Sequence, residues 1–160
     1  MPARSDSAQV QLLSMLQTAK NRLEYLTPND WTLIIDRAKQ LTFRKNETLV
    51  RQGKQSKIVY VIARGKVNIT ISRTRLAQLG PGQVCGDMAF LENTLASATA
   101  TAEEEVEAYA LGWPDLMDLF ELFPHLASRF YRSLALNLSR RLREQIMLKQ
   151  GGGHDPKHPF

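Results

Sequence analysis

Residues 58–72 read IVYVIARGKVNITIS. The run from Ile58 to Ala63 is apolar and rich in β-branched side chains, which is the composition of a strand. Arg64-Gly65 ends it with a hairpin signal. The chain then alternates, placing Val67, Ile69 and Ile71 on one face of a second strand. The following segment, TRLAQLGPG (74–82), turns and pairs back. Short strands separated by glycine-bearing turns predict a small antiparallel barrel or sandwich.

The same pattern extends in both directions. Upstream, Phe43, Leu49 and Val50 flank the polar turn KNE (45–47), and Gln52-Gly53-Lys54 is a further turn. Downstream, SATATAEEEVEAYALG (97–112) supplies two more strands, with Glu103, Glu104 and Glu105 in a solvated turn between them. Outside this zone the period becomes helical. Leu12, Leu16, Ala19, Leu23 and Leu26 form one helical stripe. Thr27 caps a second helix, with Pro28 in its first turn and Asp30 near its positive end. Trp31, Ile34, Ile35 and Ala38 form its buried face. Pro114 opens a third helix through the apolar Leu116, Leu119, Phe120 and Leu122, and Pro124 a longer fourth. The last carries Phe130, Leu134, Leu138 and Leu142 down one side, among Arg129, Arg132, Arg140, Arg141, Arg143 and Lys149.

These zones predict an α+β chain, mainly β: an antiparallel β-barrel or jelly roll of about eight short strands. N-terminal helices and a C-terminal helix pair flank it. The expected divisions are an N-terminal helical segment over 1–25, the barrel with its C-terminal helices over 26–148, and a flexible tail over 149–160. The tail GGGHDPKHPF has the composition of a disordered end. Its His154 and His158 lack a third ligand fixed by a fold, so no metal site is expected.

With 160 residues, 43% hydrophobic and 23% charged, the chain has the size and composition of one soluble domain. No apolar run approaches the roughly 18–20 residues of a membrane span, and MPARSDSAQVQ lacks the apolar core of a signal peptide. Cys85 is the one cysteine. A cytoplasmic location is the expectation. The net charge of +5 admits nucleic acid or an acidic membrane face as a partner, or simply a surplus of surface lysines and arginines. Catalysis is not expected. His125 is the one histidine before the tail, no nucleophile motif or metal-ligand spacing is present, and GPGQVCG lacks the Lys-Ser/Thr of a triphosphate loop.

Residues 82–102, GQVCGDMAFLENTLASATATA, carry the candidate site. A short helix beginning near Met88 turns its first amides, and those of Ala89, toward whatever precedes it, and Gly86 permits close backbone approach. Asp87 can accept from a ribose hydroxyl, and Ser97 and Thr99 can donate to phosphate or a base edge. Ile69, Val84, Cys85 and the methyl groups of Ala98 and Ala100 suit an apolar cup. The plainer alternative is that Gly86-Asp87 caps a helix and residues 97–101 are only a strand. Cys85, near a helix start, is either a thiol of depressed pKa or a small core residue.

These residues resemble the cyclic-nucleotide-binding domain of catabolite-activator-like regulators, protein kinase A regulatory subunits and gated channels. Phe43 and Glu47 resemble its opening phenylalanine and Gly-Glu turn, with Asn46 in place of the glycine. Gln52-Gly53 is similar to a later turn. Tyr60-Val61-Ile62, Gly65 and Val67 resemble its Tyr-x-Ile-x-x-Gly-x-Val core. Leu79-Gly80-Pro81-Gly82 and Gly86-Asp87-Met88-Ala89-Phe90-Leu91 resemble the run into its phosphate-binding cassette. The likeness spans residues 26–146.

The departures fall on the ligand. The family's cassette ends in Pro-Arg-x-Ala-Thr, whose arginine meets the cyclic phosphate. This chain has Leu95-Ala96-Ser97-Ala98-Thr99, so Ala96 occupies the arginine's place. Asp87 replaces a glutamate one methylene longer, and Cys85 an aromatic residue. A hydrogen bond to a charged group is worth roughly 1.5–3 kcal/mol, so the loss predicts cyclic AMP or cyclic GMP bound tenfold to several-hundredfold more weakly. Arg64, Arg73 and Arg75 sit at hairpin ends, and no pattern carries them to the cassette.

The resemblance implies a regulatory sensor module that takes a cyclic nucleotide or another small ligand weakly or not at all. The stripe Phe130, Leu134, Leu138 and Leu142 is implied to close over the barrel or form a homodimer seam. Two alternatives remain: an interaction module with a non-functional pocket and a separate partner protein, and nucleic-acid binding through the basic last helix. No helix-turn-helix follows Met147, so sequence-specific DNA recognition is not expected.

Overall fold

The computed structural model describes residues 6–19 and 22–150. The elements run α1 (Asp6–Thr18), α2 (Pro28–Arg37), β1 (Lys39–Phe43), β2 (Thr48–Val50), β3 (Ile58–Arg64), β4 (Val67–Ile71), β5 (Thr74–Leu79) and β6 (Val84–Cys85). Then follow α3 (Asp87–Glu92), β7 (Thr99–Ala102), β8 (Val106–Gly112), α4 (Trp113–Leu122) and α5 (Pro124–Gln150). The strands form two antiparallel four-stranded sheets, ordered β1-β8-β3-β6 and β2-β7-β4-β5. This is the mainly β jelly roll that the sequence predicts, with helices at both ends.

One local expectation is corrected. Arg64-Gly65 does not close a hairpin, because β3 pairs with β8 and β6 while β4 pairs with β5 and β7. The turn instead carries the chain from one sheet to the other. Gly65 has φ +92, and a Cβ there would fall 2.3 Å from the Glu105 carbonyl oxygen. The crossing is therefore pressed against the turn between β7 and β8, where only glycine fits. The true hairpin is β4–β5, closed by Ser72 and Arg73, both at positive φ (48° and 72°). Paired positive φ values match the right-handed twist of two strands.

The two faces of β3 divide the core. Val59 and Val61 join a cluster with Trp31, Ile34, Ile35, Leu116, Leu119, Phe130 and Leu134, beneath the helices. Tyr60 and Ile62 point between the sheets, with Val67, Leu79, Cys85, Ala100 and Val106. Successive strand side chains face opposite ways. Because helices cover one face and a sheet the other, β3 is apolar from Ile58 to Ala63 rather than at alternate positions.

The N-terminal stripe is not one helix. α1 ends at Thr18, and Leu23 and Leu26 are buried from non-helical chain. α2 begins as the sequence predicts. Asp30 N–H donates to Thr27 Oγ1 at 3.1 Å and Thr27 N–H to Asp30 Oδ2 at 2.9 Å. This reciprocal pair satisfies two backbone donors that the helix start leaves open. The α5 stripe divides. Phe130 and Leu134 are 1% exposed and belong to the chain's own core, Leu138 is half-buried, and Leu142 is 52% exposed. Of the two uses implied for the stripe, Phe130 and Leu134 thus pack against the chain's own barrel and helices, while Leu142 does not. His154, His158 and the rest of the tail past Gln150 lie outside the described residues.

Candidate functional site

β6 ends at Cys85, and Gly86 turns the chain into α3 at φ +86. A Cβ on Gly86 would lie 2.7 Å from the Ile58 carbonyl oxygen, so the corner is packed onto β3 and admits no side chain. α3 then presents Asp87, Met88 and Ala89 to a cavity of about 460 Å³, its mouth included.

All the cassette and cup residues that the sequence singles out line this one cavity. Gly86, Asp87, Met88 and Ala89 line it from the start of α3, Ala96, Ser97, Ala98 and Thr99 from the segment leading into β7, and Ile69, Val84 and Cys85 from the sheets, with Val50 and Leu79. The wall at 96–99 is pinned from behind. Gly53 N–H donates to Ala96 O at 2.8 Å, and Ala96 N–H to Lys54 O at 3.1 Å. Thr99 Oγ1 accepts from Gln52 N–H at 2.9 Å, so this hydroxyl is held by the β2–β3 connection. The small residues Ala96, Ala98 and Ala100 keep the space open.

Asp87 is the buried carboxylate of the cavity, 5% exposed. Burial pushes its carboxyl above the ordinary value, opposed by the charge of Arg141 and by N–H donation from Asp87 itself and Met88. The first amides of α3, which the sequence offers to an anion, are thus partly engaged by the Asp87 carboxylate. Cys85, 2% exposed, has its thiol pushed up to about 12 by burial and by Asp87. The depressed thiol pKa that a helix start suggests is therefore absent, and Cys85 is a core residue.

The expectation that no cation reaches the cassette is overturned. Arg141, on α5, lines the cavity. Among the described residues the ion pairs are Arg37–Asp118, Arg129–Asp30 and Arg140–Glu24, and Arg141 joins none of them. Arg64, Arg73 and Arg75 do not line the cavity, as the sequence suggests; Arg64 borders a separate cleft with Glu104 and Glu105. The signal for Arg141 was present in the helical period. It follows Leu134 by seven residues and Leu138 by three, so it continues the inward face.

Two contacts tie the cavity to the helices. Phe90 of α3 stacks on Tyr131 at 6.2 Å between ring centroids and meets Phe130 edge-on at 6.4 Å. On the other side, residues 22–30 bind the polar face of α5. Arg129 pairs with Asp30, Tyr25 N–H donates to Ser133 Oγ at 3.0 Å, and Asn137 Nδ2 donates to Arg22 O at 3.3 Å. Arg140 reaches Glu24 at 3.1 Å, and Arg132 lies 4.0 Å above the Tyr25 ring. Arg129, Arg132 and Arg140, three of the six basic residues of the last helix that suggested nucleic acid, are engaged within the chain. No group of three or more potential metal ligands occurs among the described residues, and no helix there is long and apolar enough to cross a membrane.

The sequence profile of the cyclic nucleotide-binding domain matches residues 40–122. The cyclic AMP receptor protein of Thermus thermophilus is 32% identical over 124 residues, covering 74% of this chain and 56% of the relative. Cyclic GMP-binding protein C of Dictyostelium discoideum is 26% identical over 128 residues, covering 77% of this chain and 5% of the relative. The chain thus spans about half the length of the first and a small part of the second. In three dimensions it is similar to the catabolite activator protein of Thermus thermophilus, with a TM-score of 0.68 and 29% identity over 82% of this chain and 62% of that one.

Proposed function

The chain belongs to the cyclic nucleotide-binding domain family, and from that premise we propose that residues 26–148 form a non-catalytic sensor for a small phosphate-bearing nucleotide. The observation that supports this most is the convergence of residues 84–89, 96–99 and Ile69 on one cavity with the buried carboxylate Asp87 in its wall. Such a cavity offers an apolar cup for a base, a carboxylate for a ribose hydroxyl and an open side at Ala96 for the phosphate. The names of the relatives point to cyclic AMP or cyclic GMP as the ligand class. Binding is weaker than with an arginine on the cassette loop, because Ala96 contributes no charge and Asp87 is one methylene short.

A thermal-shift titration tests the reading. Cyclic AMP, cyclic GMP or cyclic di-GMP should stabilise the chain saturably, and Ala96→Arg should tighten binding by about tenfold or more. No stabilisation by any of the three at millimolar concentration would sink it.

A second property rests on a separate observation. Leu142, Met147 and Leu148 of α5 are 52%, 64% and 74% exposed. We propose that a homodimer, where the chain forms one, uses this distal half of α5 and not Phe130 and Leu134. Light scattering checks it: Leu142→Lys should shift a dimer to monomer, while Leu134→Lys should instead unfold the chain.

A further inference from the structure

We propose that Arg141 supplies the phosphate-binding charge of the cavity, so that the ligand is grasped by α5 itself and not by the cassette loop. This deepens the nucleotide reading above and rests on it. Three observations converge. The loop wall is uncharged, with Ala96 buried where a cation is wanted. Arg141 lines the same cavity from the helical side. Asp87, 5% exposed, lines that cavity together with Arg141, whose charge acts on its carboxyl. A guanidinium offers five donors in a rigid fork suited to two phosphate oxygens.

The surroundings of Arg141 say what binding would do. It also borders a second cleft outside β5, together with Gln78, Gln83, Asn137 and Glu144. It thus lines one cavity with Asp87 and the other with Glu144 of its own helix. Immediately before it, Arg140 ends the row of contacts that fastens α5 to residues 22–30. Immediately after it, Leu142 is exposed. Arg141 thus marks the boundary between the anchored and the unanchored parts of α5. Asp87 is the buried carboxylate in the same cavity, and the charge of Arg141 acts on it. A ligand phosphate competes with Asp87 for the guanidinium and draws in the distal half of the helix. Occupancy is then reported at α5 without any movement of the cassette loop, a shift between two helix positions driven by a difference in their affinity for ligand.

The test is calorimetric titration of the full chain, Arg141→Gln and Arg141→Lys with cyclic AMP, cyclic GMP, cyclic di-GMP and adenosine. The expected result is a tenfold to hundredfold loss of phosphorylated-ligand affinity in Arg141→Gln, roughly the range for one charged hydrogen-bonding group. Arg141→Lys should keep part of it, and uncharged adenosine should not distinguish the proteins. Adding Ala96→Arg to Arg141→Gln should restore affinity. Amide exchange should then show α5 protected by ligand in the wild type and no longer in the rescued double variant. Arg141→Gln binding the nucleotides as tightly as wild type would overturn the role of Arg141 and leave the sensor reading standing. Rescue with α5 still protected would overturn the reporting role. Failure of every phosphorylated probe to bind the wild type would overturn the nucleotide reading and this proposal together.

Discussion

Arg129 clasps Asp30 across 99 residues of sequence, with Nε 2.6 Å from Oδ2 and Nη2 2.8 Å from Oδ1. The same carboxylate accepts the Thr27 N–H, so one buried group both caps α2 and fastens α5. Burial raises the Asp30 carboxyl, but the Arg129 and Thr27 hydrogen bonds outweigh it and hold the group below its ordinary value of 3.8. Its folded form is therefore the ionised one.

The sign of the pH dependence follows. A carboxyl with a lowered folded pKa stabilises the fold above its unfolded value, and the contribution fades as pH falls through the folded one. Denaturant melts should show a loss of stability below pH 3.8 that is absent in Asp30→Ala. At neutral pH that variant should lose about 2 kcal/mol, the cap and the pair together, moderated because Arg129 is 37% exposed. Amide exchange in α5 should quicken at the same time. Unchanged exchange there would mean that the clasp does not anchor the helix.

Asp87 should behave in the opposite way. Its carboxyl is raised by burial, with Arg141 opposing. Its contribution to stability is fully present below 3.8 and is lost as pH rises through the folded value. Asp87→Asn should therefore stabilise the empty protein at pH 7 by about 1 kcal/mol, or ~2–4 °C in Tm, with no gain at pH 3. The same change should weaken nucleotide binding. A variant that is no more stable than wild type at neutral pH would show that Asp87 is better compensated than its burial implies.

Cys85 should be inert in the folded chain. With its thiol at about 12 and the side chain buried, the thiolate population at pH 7.5 is negligible. Iodoacetamide should label it only as fast as the protein opens, and quickly once the chain is denatured. Rapid labelling under native conditions would reinstate the redox-sensing role considered from its place beside a helix start.

The degree to which the sequence foretold this depends on how local each interaction is. The Thr27–Asp30 capping box is contained in four residues and is legible as a pattern. The cavity wall is legible for the same reason: residues 84–89 and 96–99 lie in one stretch, with Ile69 added from the alternation of β4. The Gly65 turn was misjudged because a glycine after a strand specifies a turn but not whether the flanking strands share a sheet. Strand partners here are set by burial on both faces of β3 and β8. The contacts of Tyr25 with Ser133 and of Asp30 with Arg129 span 108 and 99 residues, and no local pattern encodes them. Arg141 was visible in the helical period beside Leu134 and Leu138. That it lines the same cavity as Asp87 is not encoded locally, because the two are 54 positions apart.

Phe90 offers a test of how the cavity and α5 communicate. It is the fourth residue of α3, three after Asp87, and is 9% exposed among Phe120, Phe130, Tyr131 and Trp113. Aromatic pairs contribute about 0.5–1.5 kcal/mol beyond the area they bury. Phe90→Ala removes that and leaves a cavity, so a loss of about 3–5 kcal/mol is expected. Phe90→Leu keeps most of the volume and should cost about 1–2 kcal/mol, leaving a folded protein for measurement. In that variant the cassette wall and α5 no longer share ring contacts, while Arg141 and residues 22–30 are untouched. If Arg141 carries the coupling, ligand should still protect α5 from exchange in Phe90→Leu, with little change in affinity. If protection of α5 disappears while binding survives, the signal passes through the aromatic cluster instead.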